Sequence, residues 1–201
     1  MSSPTQIANL ALSWMGQDLI NDLGDNQNEA VVMNANYALS RDKTLEDVAW
    51  TFATQRKILA PLAEAPEFGG GNQFTIPGNV LRVHRVFRPD LTSQSTLTSV
   101  NKFQNADWVR NGQVIIASET VIWALLIVQV TDTALFSPGF IHALAARLAA
   151  DTAMTLTESS KLEEKMEVRY EKKLNDAKYT DGSQGRTEII KSSRLTGTRK
   201  R

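Results

Sequence analysis

The sequence predicts a mainly α fold with a β insertion (α+β): a four-helix bundle core, a small antiparallel β element and an extended C-terminal arm. Three observations predict it. Apolar residues recur at helical spacing near both ends of the chain. Between them lie short β-rich runs broken by Pro, Gly, Asn and Ser. The last residues are basic and lack apolar periodicity. The organisation expected is a first half of the bundle over 1–56, a β-rich insertion over 57–130, the second half over 131–180, and an extended basic arm over 181–201.

Ser3-Pro4-Thr5-Gln6 reads as a helix start, with a Ser cap, Pro at the first helical position and Gln three after the cap. Ile7, Leu10, Ala11 and Trp14 keep helical spacing, and Gly16 stops the helix. Residues 17–28 are a polar loop. Asn28 is placed to cap a second helix from Glu29 to about Phe52, with a break near Arg41-Asp42-Lys43. Its expected buried positions are Val32, Ala35, Leu39, Leu45, Val48, Ala49 and Phe52.

The β runs are "KILAPL", "NQFTIP", "VLRVHRVF", "TLTSVNKF", "DWVR", "QVIIAS" and "VIWALLIVQV". They predict an antiparallel element from about 73 to 130. "RNGQ" at 110–113 fits a tight hairpin turn. "FGGG" at 68–71 reads as a mobile loop tip.

Ser137-Pro138 starts a third helix, expected to run to about Thr155. Ile141, Leu144, Leu148, Thr152 and Thr155 form one stripe on it. Ala143, Ala146, Ala150 and Ala153 form a second on the opposite side, a helix-packing or subunit-interface face. Only Arg147 and Asp151 remain clearly polar. Ser160-Lys-Leu-Glu163 reads as a capping box for a last helix over 161–178, with Leu162, Met166, Tyr170, Leu174 and Ala177 as its apolar stripe.

The composition narrows the function. The 201 residues contain no cysteine, which excludes disulfides, thiolate catalysis and Cys-based metal sites. Val121–Val128 is too short an apolar run to span a bilayer, and Met1-Ser-Ser-Pro lacks signal-peptide character. The expectation is a protein made and used on the cytosolic side, or packaged from there, with no membrane partner. The formal net charge is zero, but residues 183–201 hold six basic residues and one acidic. The remainder holds 16 basic and 21 acidic. A basic arm therefore follows an acidic body. Its Arg186, Lys191, Arg194, Arg199, Lys200 and Arg201 give charge, while Ile189, Ile190 and Leu195 are candidate anchors for an arm that orders on a partner.

Catalytic, metal and cofactor signals are weak, and none is assigned. His84, between Arg82 and Arg85, reads as structural or surface, and His142, beside the alanine stripe, as packing or interface. Glu64 and Glu67 are three residues apart beside a proline, which says nothing of a glycosidase cleft. "GGGN" lacks the Lys-Ser/Thr of a phosphate loop.

Residues 41–68, "RDKTLEDVAWTFATQRKILAPLAEAPEF", resemble a signature of the head-to-tail adaptor proteins of short-tailed bacteriophages, also called tail tubular protein A or gatekeeper-type connectors. Arg41, Asp42, Leu45, Trp50, Phe52, Ala53, Arg56, Leu59, Ala60, Pro61, Leu62 and Pro66 carry the likeness, with Trp50, Phe52, Leu59 and Pro61 as the motif's core. "FTIPGNVLRVHRVF" (74–87) is similar to a strand motif of the family, departing at Ile76 and Asn79. Residues 130–159 are similar to its third helix. "AKYTDGSQG" (177–185) matches the end of its fourth.

The resemblance implies a virion structural protein and not an enzyme. Its subunits, twelve by likeness to the family, would form a ring between portal protein and tail nozzle protein. Family members are often monomeric alone and assemble on the portal. The C-terminal arm would dock on the portal, and the β insertion would lie toward the tail. The central channel would pass double-stranded DNA without sequence-specific binding. An acidic body suits such a channel, because a basic wall would hold phosphates. Two other functions compete: a virion-associated peptidoglycan hydrolase, and a DNA-binding module using the basic arm.

Overall fold

The computed structural model describes residues 2–88 and 105–183. Helix α1 (Pro4–Met15) begins with the reciprocal capping box its sequence announces. Ser3 Oγ accepts from the Gln6 N–H at 3.1 Å, and Gln6 Oε1 accepts from the Ser3 N–H at 3.0 Å. Gly16 ends it in the left-handed region at φ 71°. The loop that follows is tied back by Asn9, whose side chain donates to the Ile20 carbonyl at 2.8 Å and accepts from the Ile20 N–H at 2.9 Å.

Helix α2 (Asn28–Asp47) differs from the expectation in four ways. Gln27, not Asn28, occupies the cap position and makes no side-chain cap bond. The helix runs unbroken through Arg41-Asp42-Lys43. It ends at Asp47, before Trp50 and Phe52. Its buried face is Ala30, Met33, Tyr37, Ser40, Arg41, Thr44 and Leu45, while Ala35 is exposed and Leu39 is 71% exposed. Ser40 and Thr44 have partners, though the buried Tyr37 hydroxyl has none among the described residues: Ser40 Oγ donates to Asp151 Oδ2 at 2.6 Å, and Thr44 Oγ1 to the Ser40 carbonyl at 2.7 Å. Arg41 pairs with Asp42 at 2.8 Å. Satisfied in this way, polar residues take the inner face and apolar ones are left outside.

A short 3-10 turn (Thr51–Ala53) leads into β1 (Thr54–Leu59), so the β region begins three residues before Lys57. Then come β2 (Asn72–Thr75), β3 (Val80–Phe87), β4 (Trp108–Asn111), β5 (Val114–Ala117) and β6 (Ile122–Val128). They form two three-stranded antiparallel sheets rather than one, in the orders β1-β6-β3 and β2-β5-β4. The wholly apolar β6, "IWALLIV", takes the centre of its sheet. Asn111 pairs with Val114 across a two-residue loop, with Gly112 at φ 59° in its first position. Gly71 sits at φ 88°, where a Cβ would lie 2.9 Å from the Ala117 carbonyl oxygen; only glycine fits that approach. The expected "TLTSVNKF" run lies outside the described residues.

Helix α3 (Pro138–Thr157) is capped by Ser137, whose Oγ accepts from the Phe140 N–H at 3.3 Å. Glu158, left-handed at φ 52°, turns the chain into α4 (Ser160–Gly182). The α4 cap is Ser159, one residue before the Ser160 expected, and the helix extends past residue 178. The apolar stripe on α4 is as read: Met166, Tyr170 and Ala177 are buried, and Leu162 and Leu174 half-buried.

Helix α3 is the hub. It packs most extensively on α4, then on α2 and α1, whereas α1 and α2 touch each other little. Leu144, Leu148 and Thr152 are fully buried, though Thr155 at the end of that stripe is exposed. Ala143, Ala146 and Ala153 are 0% exposed and Ala150 6%. Both stripes are therefore covered within the single chain.

Candidate interaction surfaces

One corner gathers residues from four parts of the sequence. Trp50 is fully buried, and its indole N–H donates to the Thr44 carbonyl at 2.8 Å. Its ring meets Phe140 of α3 edge-on, with centroids 5.1 Å apart at 83°. Phe52 lies 5.2 Å from Phe140 and 5.8 Å from Phe136. From α4, the buried Asp181 accepts from both the N–H and Oγ1 of Thr51, each at 2.9 Å. One turn earlier on α4, Ala177 is so near α3 that a Cβ at Gly139 would lie 3.0 Å from its own. Ala177 is thus a close helix contact, and Asp181 one turn on is an anchor for the chain leaving α2.

Leu59 is half-buried at the end of edge strand β1. Pro61 is exposed. The chain leaves the sheet after Leu59, and Leu62 takes up a backbone bond to the Gln73 carbonyl instead. Asp181→Ala removes the ionic acceptor of both Thr51 donors and is expected to cost about 1.5–3 kcal/mol. Asp181→Asn, which keeps one acceptor oxygen, is expected to cost less than half of that. Urea denaturation of the two variants checks both.

A second cluster joins α2, α3 and α4. Arg147 and Asp151 form an ion pair at 2.6 Å, and the Arg147 guanidinium stands 5.5 Å from the Tyr170 ring centroid. Tyr170 Oη donates to Asp47 Oδ2 at 2.6 Å, and Asp47 also pairs with Lys43 at 2.7 Å. Burial first, and then the Asp47 carboxylate, push the Tyr170 phenol well above its ordinary pKa of 10.0. A raised folded value favours the neutral phenol in the fold. That stability is whole below pH 10 and is lost as pH rises through the folded value. Tyr170→Phe is expected to cost about 0.5–1.5 kcal/mol at pH 8 and to flatten the decline above pH 10. Urea midpoints at pH 8, 10 and 11 measure it.

The outer surface offers two further places. Between α1 and α4 runs a groove where the exposed His142 stacks on Trp14, centroids 6.1 Å apart. Arg169 lies over the other partner of that stack, its guanidinium carbon 4.8 Å from the Trp14 ring. Lys165, Val168, Lys172 and Lys173 line the same groove. The second place is a pocket of about 360 Å³ on the β1-β6-β3 sheet, lined by Ile58, Ala124 and Leu125 with the stems of Arg56 and Lys57.

The remaining candidates are dispersed. His84 is half-buried on β3, and burial, then Arg85 and Arg82, hold its imidazole below the usual value. Glu64 and Glu67 are both exposed. The docking-arm residues Arg186, Ile189, Ile190, Lys191, Arg194, Leu195, Arg199, Lys200 and Arg201 lie outside the described residues. Among the described residues, no group of three or more His, Asp or Glu could hold a metal ion. None of their helices is long and apolar enough to cross a membrane.

Sequence reasoning missed the Ser40–Asp151 and Tyr170–Asp47 bonds and the Arg169–Trp14 stack. Each joins residues over 100 positions apart, where periodicity carries no signal. A scan against protein-family models finds no match to this chain, and a search of the curated proteins finds none.

Proposed function

We propose that this chain is a structural subunit of a virion, a head-to-tail adaptor that forms a ring between portal and tail nozzle. The convergence at the Trp50 corner carries the reading. Trp50, Phe52, Ala177 and Asp181, drawn from separate stretches of the resemblance, meet at one corner, whereas Arg56, Pro61 and Leu62 of the motif are exposed. Asp42 is held by Arg41 and by Gln129, whose Nε2 donates to it at 2.7 Å. Trp50, Phe52, Phe140, Ala177 and Asp181 complete the corner. Residues that act together in space are unlike four chance local matches.

In this reading the helical bundle builds the ring wall, and the basic arm docks on portal. The channel passes duplex DNA without gripping it. Electron microscopy of the full chain mixed with purified portal tests it. A ring stacked on portal is the expected result, lost on deleting residues 183–201. Isolated monomers that degrade peptidoglycan would replace the reading with a hydrolase. Tight, salt-sensitive duplex binding through the arm would replace it with a DNA-binding module.

A further inference from the structure

Helix α4 carries two charged rows that its own fold does not use. Lys161, Lys165, Arg169 and Lys173 follow one another at four-residue spacing. Glu163, Glu167 and Glu171 do the same two positions on, about 200° round the helix. A solvated helix gains from opposite charges at i,i+4, and like charges there are destabilising. Here every such pair within each row is of like sign. No residue of either row forms an ion pair among the described residues.

The cationic row borders the α1–α4 groove. Arg169 is fixed there by the Trp14 ring, and its Nη1 is buried with no hydrogen-bond partner. Val168, 63% exposed, adds apolar surface beside it. The groove thus offers a guanidinium positioned over Trp14, flanking ammonium groups and a small greasy contact. Its complement is a carboxylate row on a helix with the same rise.

We propose that this groove receives the Glu163–Glu167–Glu171 edge of α4 from a second copy of the chain. Both rows repeat every four residues, about 6 Å along the axis, so their charges register when the two helices lie side by side. The two edges lie on opposite flanks of one helix, so the contact is head-to-tail and leaves a free edge of each kind at the ends. Such a contact propagates until it closes on itself. Only that closure into a ring rests on the adaptor reading; the pairing of rows stands on α4 alone. Nucleic acid suits the groove less well, because the opposite flank of the same helix and the body as a whole are acidic.

Two full-length charge-reversal variants test the pairing: Lys165→Glu/Arg169→Glu/Lys173→Glu, and Glu163→Lys/Glu167→Lys/Glu171→Lys. Circular dichroism checks that each is folded. Lys165→Glu/Lys173→Glu, which spares Arg169 and stays within the row, stands in if the first is not. Without the portal the contact is expected to be weak, so sedimentation velocity at high protein concentration and low salt is expected to show wild-type association that 0.5 M salt abolishes. Each variant alone should stay monomeric. An equimolar mixture of the two should associate again, since one then presents only acidic edges and the other only basic ones.

Wild-type protein that stays monomeric at high concentration and low salt overturns the proposal. So do variants that associate like wild type, a mixture that fails to recover, or a groove that binds duplex DNA without self-association. Portal microscopy separates the two readings. If both variants still form rings on portal, the row pairing is wrong and the adaptor reading stands. Recovery in the mixture without portal binding has the reverse meaning.

Discussion

Trp50→Ala is expected to cost about 3–5 kcal/mol and to lower the melting temperature by roughly 8–16 °C. The side chain is fully buried, so its deletion leaves a cavity among Phe52, Phe140 and the end of α2. The Thr44 carbonyl also loses its indole donor. Neighbouring groups cannot collapse to fill the space, because Asp181 holds Thr51 from the other side. Trp50→Phe separates the contributions. It keeps most of the packing and loses the hydrogen bond, for about 1–2 kcal/mol. Differential scanning calorimetry of the pair decides it. If the two variants were equally damaged, packing would not be the source of the corner's stability.

Replacing Ala146 or Ala150 by Leu should disrupt the fold before assembly is in question. Each has 6% exposure or less within the single chain, so the added carbons have no solvent to enter. Overpacking of this kind costs about 1–3 kcal/mol per site. The two positions are neighbours at i,i+4, so the double variant need not be additive. Leu39→Ala is the matching control. That side chain is 71% exposed, and its loss should change stability by less than about 0.5 kcal/mol. Soluble yield and urea midpoints report the outcome. Well-folded Ala146→Leu and Ala150→Leu proteins that fail only to form rings would place the alanine face between subunits.

Local chemistry was legible wherever one short stretch contains it. The α1 capping box, the Gly16 stop, the Ser137-Pro138 start and the α4 stripe all follow from residues within a few positions of one another. The inner face of helix α2 was only partly legible, because Asp151, over a hundred residues away, draws Ser40 inward. A count of apolar residues places Leu45 and Val48 inside, as they are, but misplaces Ala35 and Leu39, which are exposed. The division into two sheets was hidden for a similar reason: β1 pairs with β6, not with the strand that follows it. The alanine face was visible in the sequence, but what covers it was not. Of the motif core, Trp50 and Phe52 are packed, Leu59 only partly so, and Pro61 lies outside.

The central place of α3 also constrains how the chain folds as it is made. Thr152 meets Met15 across 137 positions, and Ser40 meets Asp151 across 111. At about 5–20 residues per second, α1 and α2 leave the ribosome several seconds before the helix they pack against. During that wait Ile7, Leu12 and Met33 have no partner, and the β strands between must form or stay out of the way. Long-range closure of this kind folds slowly. Synthesis rate and chaperone supply, more than final stability, should then govern how much folded protein a cell yields.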